Sequence, residues 1–363
     1  MIEIPDYIKD LKPYVPCRTI NEIKEQYDLD EIHKIASNEN PLGPSPIAVE
    51  AMREAMKDVH RYPDIGAIKL RKRIGEMFNV GVENIAVGNG SEGVLAVAMR
   101  CFLHGDDEVI TSEGTFIGFQ VLARARVNKC EYIPMPKENY KFDLDGIAKA
   151  INEKTKLIYL CNPNNPTGTI FTKDEFDKFI EKVPSNVLVI FDEAYYEFAS
   201  DYPEYPDSMN YRLDNVLTLR TFSKAYGIAG IRIGYGLAHK DIVETIMKVK
   251  LPFEPGNVAQ EGAYAALGDT EFLERTKHLN KTGMEYLTDE FTRLGMKWFK
   301  SYANFIMADF NSEKETTRIN EELLKRGVIV RPLSAFGLPG CIRFTIGRKE
   351  ENEALVKALR EVI

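Results

Sequence analysis

Three short stretches of this chain end in side chains that could do chemistry together. "NVLTLR" runs into "TFSK" and places Thr221, Ser223 and Lys224 after an apolar, β-branched run. "NVLVIF" runs into "DEAYYEF", setting Asp192 and Tyr195 in the same relation to their own run. "KLIYLC" runs into "NPNNPTG", a Pro/Asn/Gly turn that holds Asn162, Asn164 and Asn165. A lysine kept for solubility holds its head group in water on a helix or an exposed strand face. Lys224 instead follows a strand that reads as buried, with hydroxyls before it and Arg232 eight residues on.

These groups can meet only if the three runs lie side by side. From about residue 46, helical and strand-like segments alternate. "SPIAVEAMREAMKDV" reads as an amphipathic helix opened by a serine, "NIAVGNG" as a strand and glycine turn, and "SEGVLAVAMRCFL" as the helix after it. "DEVITS", "KCEYIPM", "KLIYLC", "NVLVIF" and "NVLTLR" follow as strands. The rhythm predicts an α/β fold with a mostly parallel sheet covered by helices. In such sheets ligands bind beyond the carboxyl ends of the strands, which is where all three polar tails fall. Residues 1–45, broken by "KPYVP" and "SNENPLGPSP", read as an irregular arm. Residues 46–260 read as the large domain, and 261–363, with longer charged helices, as a smaller α+β domain.

An amine that condenses with an aldehyde, a carboxylate for a ring nitrogen and donors for a phenolic oxygen are what pyridoxal phosphate requires. On this reading Lys224 holds the aldehyde. Asp192 keeps the pyridine nitrogen protonated, because a buried opposite charge raises the pKa of the ring cation. Asn165 and Tyr195 bind the ring oxygen. For the phosphate, Gly90, Ser91 and Glu92 open a helix and offer unpaired backbone N–H groups. Thr221, Ser223 and Arg232 add side-chain donors. Each residue also has a plainer reading: a solvated lysine, an aspartate capping a helix, a turn that is only a turn, a surface arginine, core aromatics. The three coincident strand ends favour the site. Gly88, Gly90 and Gly93 also satisfy GxGxxG, with acidic "DDE" at 106–108 near the spacing of a dinucleotide fingerprint. That rival, an NAD(P)-dependent oxidoreductase, leaves Lys224, Asp192 and Asn165 without a role.

Composition narrows the classes further. A formal charge of −8 with no basic block argues against nucleic acid as partner. "MIEIPDYIKD" lacks the form of a signal peptide, and the apolar runs are too short to span a bilayer. Five scattered cysteines without CxxC spacing read as reduced thiols in a cytoplasm, with no metal site. The five histidines show no metal spacing.

"NPNNPTG", "DEAYYEF" and "TFSKAYGIAGIRIGYG" together resemble the marks of class I/II aminotransferases of the aspartate aminotransferase fold. "LKPYVPCR", "ASNENPLGPSP", "HRYPD" and "PGNVAQ" resemble the histidinol-phosphate aminotransferase branch more narrowly. The resemblance implies a pyridoxal-phosphate enzyme of histidine biosynthesis that pairs a phosphorylated substrate with 2-oxoglutarate and glutamate. It also implies a homodimer with shared sites, in which the 1–45 arm contributes to the smaller domain and to a dimer contact. Tyr62 would then reach the neighbouring subunit's cofactor phosphate, and Tyr14 its substrate pocket. Phe116 would stack on the pyridine, and Asn40 would touch substrate. Arg343 would grip the amino donor's carboxylate, a task in which lysine is a poor substitute, and Arg331 would help with a substrate phosphate. Family members often carry proline before "TF", where this chain has Gly114. An aromatic amino-acid aminotransferase and a threonine-phosphate decarboxylase are the alternatives that use the same cofactor.

Overall fold

The computed structural model describes residues 2, 4, 6–9 and 16–363. Its centre is a seven-stranded sheet in the spatial order Ile85–Gly88, Gly234–Leu237, Val216–Thr221, Leu188–Asp192, Thr155–Cys161, Glu108–Ser112, Lys129–Ile133. Gly234–Leu237 runs antiparallel to both neighbours, and all other pairings are parallel. Val189, Ile190 and Phe191 are fully buried, as continuous apolar runs must be when helices cover both faces of a sheet. The strands that carry the polar tails are adjacent. Cys161 pairs with Asp192, and Asp192 with Leu219, so the three carboxyl ends lie level.

Six strands coincide with the apolar runs. The seventh, "GYGL", is too glycine-rich to announce itself, and its glycines have a steric cause. A Cβ on Gly234 would lie 2.2 Å from the Ser91 backbone nitrogen, and one on Gly236 would lie 2.9 Å from Val94 Cγ1. Only a bare backbone lets helix Gly90–Phe102 settle so closely on this strand.

A second sheet, antiparallel throughout, has the order Arg331–Pro332, Cys341–Thr345, Phe305–Asp309, Lys297–Trp298. Leu287, Phe291, Ile306, Phe344 and Leu355 form its core. Helix Thr270–Arg293 spans the two bodies: Leu273 packs on the large one, and Leu287 and Phe291 on the small. Helix Asn257–Ala266 packs on Pro46–Ala55 through Ala48, Ala259 and Ala263. Ser45 caps Pro46–Ala55 as its position predicted.

The segment before residue 45 is more regular than its prolines suggest. Thr19 and Glu22 make a capping box for helix Ile20–Tyr27, and His33–Lys34 pairs in parallel with Val328–Ile329. Ile23 and Ala36 are buried against Leu324 and Ile329. Among the described residues no helix is long and apolar enough to cross a membrane, and all five cysteines are free.

Candidate active site

Ser91, Glu92, Phe116, Asn165, Asp192, Tyr195, Thr221, Ser223, Lys224 and Arg232 line one cleft of about 120 Å³, completed by Cys161 and Ala194. Larger cavities lie elsewhere, one of about 330 Å³ between Asn79 and His239, but it holds neither the lysine nor a buried carboxylate. The chemistry converges on the smaller space.

Asp192 ends its strand 4% exposed. Its Oδ2 accepts from Tyr159 Oη at 2.7 Å and its Oδ1 from the Ala194 amide at 3.1 Å. Burial pushes its pKa up to about 6, against the opposing pull of those two donors. Tyr159, fully buried and stacked on Phe119 at 3.9 Å between centroids, was not among the expected site residues. The signal was there: a tyrosine hydroxyl inside an apolar strand needs a buried partner.

Lys224 is half-buried, with Nζ donating to the Ser37 carbonyl at 3.3 Å and lying 5.7 Å from the Tyr195 ring centroid. Burial, then the Arg343 guanidinium, lowers its pKa to about 8. A lysine so placed holds its proton loosely enough to act as a base near neutrality.

A corner rich in hydrogen-bond donors closes one end of the cleft. Helix Gly90–Phe102 starts without a side-chain cap at Asn89. Gly90 has φ +77°, and a Cβ there would lie 2.7 Å from Arg232 Nη2. Thr221 Oγ1 donates to Ser223 Oγ at 3.0 Å, which accepts from Arg232 Nη1 at 3.2 Å. Arg232 also sits 3.8 Å from Glu92. The dinucleotide reading of the same glycines fails on topology. Glu108 opens its strand, at the end of the sheet away from the cleft, and its carboxylate is taken by Lys129 at 2.8 Å and Asn152 at 2.9 Å.

The small body reaches the cleft through Arg343, which bonds the lining residue Asn165. Arg331 and Arg343 are register partners on paired strands. Arg343 Nη1 donates to Asn165 Oδ1, which leaves the Asn165 NH2 available to the cleft, and Nη2 donates to the Ala36 carbonyl at 2.7 Å. Arg331 Nη1 donates to Cys17 Sγ at 3.3 Å. Asn162 and Asn164 serve the turn: Asn162 brackets Phe171, and Asn164 ties Gly114 and Thr115.

Two expected residues, Asn40 and Tyr62, do not line this cleft. The Asn40 amide donates to the Ala225 carbonyl and Thr276 Oγ1, at 2.9 Å each, and its Oδ1 accepts from the Leu42 N–H, which clamps its segment to both elements. Tyr62 is 80% exposed and stacks on Phe253 at 4.1 Å between ring centroids. Tyr14 lies outside the described residues. In exchange the motif around Asn40 yields Asn38, 1% exposed, whose Nδ2 donates to Tyr195 Oη at 2.9 Å.

A parallel sheet that delivers a buried carboxylate and a depressed lysine to one cleft beside a helix N-terminus defines a class. The chain matches the family model of aminotransferase class I and II over residues 30–359, and it belongs to that family. It is 39% identical to histidinol-phosphate aminotransferase of Caldicellulosiruptor saccharolyticus over 99% of both chains. It is 40% identical to that of an Anaeromyxobacter species, again over 99% of each. The solved histidinol-phosphate aminotransferase of Sinorhizobium meliloti, in complex with pyridoxal-5'-phosphate, superposes with a TM-score of 0.89 at 27% identity, covering 100% of this chain and 98% of that one. Aspartate aminotransferase of Thermus thermophilus shares the fold, with a TM-score of 0.84 at 21% identity and full coverage of both chains.

Proposed function

We propose that this chain is a pyridoxal-phosphate-dependent aminotransferase acting on histidinol phosphate and 2-oxoglutarate, in histidine biosynthesis. One observation carries the reading: the Lys224 amine and the Asp192 carboxyl, from neighbouring strand ends, line a single cleft. The donor set fits the cofactor group by group. Asp192 suits the ring nitrogen, Tyr195 and Asn165 the ring oxygen, and Phe116 the ring face. Ser91, Thr221, Ser223, Arg232 and the amides that begin at Gly90 suit the phosphate. The cradle stays open because Gly90 and Gly234 lack the Cβ that would fill it.

When bound, pyridoxal phosphate supplies an aldehyde that takes up the substrate amine and a ring that accepts the electron pair left at Cα. The chain's residues do the rest. Asp192, held by Tyr159 and Ala194, keeps a proton on the ring nitrogen. Lys224 would take the Cα proton and deliver it to the former aldehyde carbon, two bonds from Cα, a transfer helped by an amine pKa lowered to about 8. Arg343 and Arg331, side by side, bind a carboxylate in one half-reaction and a phosphate in the other. The homodimer is part of the same proposal and is supported by the exposed Met56, Val59, Tyr62 and Leu251, an apolar set without cover in one chain. A cytoplasmic setting accords with five free thiols.

The test is a comparison of half-reactions with purified protein. Histidinol phosphate and glutamate should each bleach the visible band of the bound cofactor, and phenylalanine should do so more slowly. Phenylalanine outrunning histidinol phosphate, or carbon dioxide release from phosphothreonine, would overturn the substrate assignment.

A further inference from the structure

We propose that Asn38 sets the direction of the hydrogen bond that Tyr195 offers to the cofactor. By donating to Tyr195 Oη it makes that oxygen an acceptor on one side, which frees the hydroxyl proton for the ring oxygen on the other. The inference rests on the reading of the cleft as a pyridoxal phosphate site.

Asn38 belongs to three consecutive residues that touch three site side chains. The Ala36 carbonyl accepts from Arg343, the Ser37 carbonyl from Lys224, and Asn38 Nδ2 donates to Tyr195 Oη. Asn38 is held by four hydrogen bonds to three residues at φ +56°, a conformation that asparagine and aspartate tolerate better than other side chains. Its carbonyl accepts from Asn304 Nδ2 at 3.1 Å, and its N–H donates to Thr345 Oγ1 at 3.0 Å. Thr345 Oγ1 in turn donates to Asn38 Oδ1 at 2.9 Å. That last pair orients the amide. With the amide reversed, Thr345 Oγ1 would receive two N–H groups, and its own proton would be buried with no acceptor among the described residues, at the cost of an unmade bond. In the orientation observed, the one hydroxyl proton left over is that of Tyr195, which lines the cleft. Burial holds Tyr195 in its neutral, donating form.

Asn38→Asp separates this role from a packing role. The carboxyl has the amide's shape, accepts the backbone conformation and still receives Thr345. When neutral it can donate to Tyr195 as the amide does; once ionised it can only accept, and it captures the tyrosine proton. The charged and titratable groups around it are Arg343, Lys224, Tyr195 and the adjoining Glu39. The measurement is the affinity of cofactor-free protein for pyridoxal phosphate and for its analogue without the ring hydroxyl, from mildly acidic to mildly alkaline pH. Relative to wild type at each pH, Asn38→Asp should bind pyridoxal phosphate progressively worse as pH rises, by about tenfold at the alkaline end. The ratio for the analogue should stay level. Equal losses for both ligands, or no loss, would overturn the proposal. If Asn38→Asp does not fold, Tyr195→Phe applies the same comparison, with about a tenfold loss expected for pyridoxal phosphate alone. Wild-type protein that takes up neither ligand would instead overturn the underlying reading of the cleft, and the proposal with it.

Discussion

Replacing Lys224 by methionine should stabilise the cofactor-free protein while abolishing its capacity to hold the cofactor covalently. Burial and the cations of Arg343 and Arg232 bring the amine's pKa down from 10.5 to about 8, with Glu39 and Asp192 only partly offsetting them. At about 1.4 kcal/mol per pKa unit, carrying the protonated amine costs the fold about 3 kcal/mol at neutral pH. Methionine removes the charge at nearly constant volume and forfeits the bond to the Ser37 carbonyl, worth about 1 kcal/mol. The balance is a gain of about 2 kcal/mol. With an unfolding entropy of about 2.1 cal/mol/K per residue, that corresponds to a rise in melting temperature of about 2–3 °C for a chain of this length. The sign depends on pH in a defined way. Between about pH 8 and 10.5 the unfolded chain binds the lysine proton and the folded chain does not, so wild-type stability rises with pH there. The variant's advantage should therefore be complete near pH 7 and gone above about pH 10.5. Thermal melts of both cofactor-free proteins across that range, with borohydride trapping after pyridoxal phosphate is added, provide the assay. An advantage that stays constant with pH, or a variant less stable at neutral pH, would refute the claim that the amine is held against its charge.

Two further outcomes test the donor-rich corner. Arg232→Ala should weaken pyridoxal phosphate binding by about tenfold or more through loss of a charge-assisted bond, and leave the affinity for unphosphorylated pyridoxal nearly unchanged. Equilibrium titration of cofactor-free protein with each ligand checks this. Gly234→Ala places a methyl 2.2 Å from the Ser91 nitrogen and 2.6 Å from the Gly90 carbonyl carbon, both backbone. The helix start must shift, so melting should fall by the equivalent of about 1–3 kcal/mol and phosphate affinity should fall with it.

Much of the site is legible in the chain because its signals are local. An apolar run of strand length followed by polar or ionisable residues places Lys224, Asp192 and Asn165 beyond strand ends, and a glycine turn before an apolar helix marks the donor-rich corner. The same locality leaves ambiguities. The glycines at 88–93 fit two fingerprints, and only the sheet shows that Glu108 stands at the far end of its strand. "ASNENP" contains two asparagines: Asn38 meets Tyr195, and Asn40 meets Ala225 and Thr276. The two differ in which side of the segment faces Tyr195, 157 residues later in the chain.

Strand identity and the residue types of a lysine–aspartate site follow from hydrophobic periodicity and position within a run, which act over a handful of neighbours. Packing alone decided that Tyr159 steadies Asp192, that Asn38 orders the Tyr195 proton, that Arg343 reaches Asn165, and that "GYGL" is a strand. Each depends on atoms far apart in sequence meeting within a few ångströms. Short-range propensity has no term for that distance; close packing and the need to satisfy every buried polar group do.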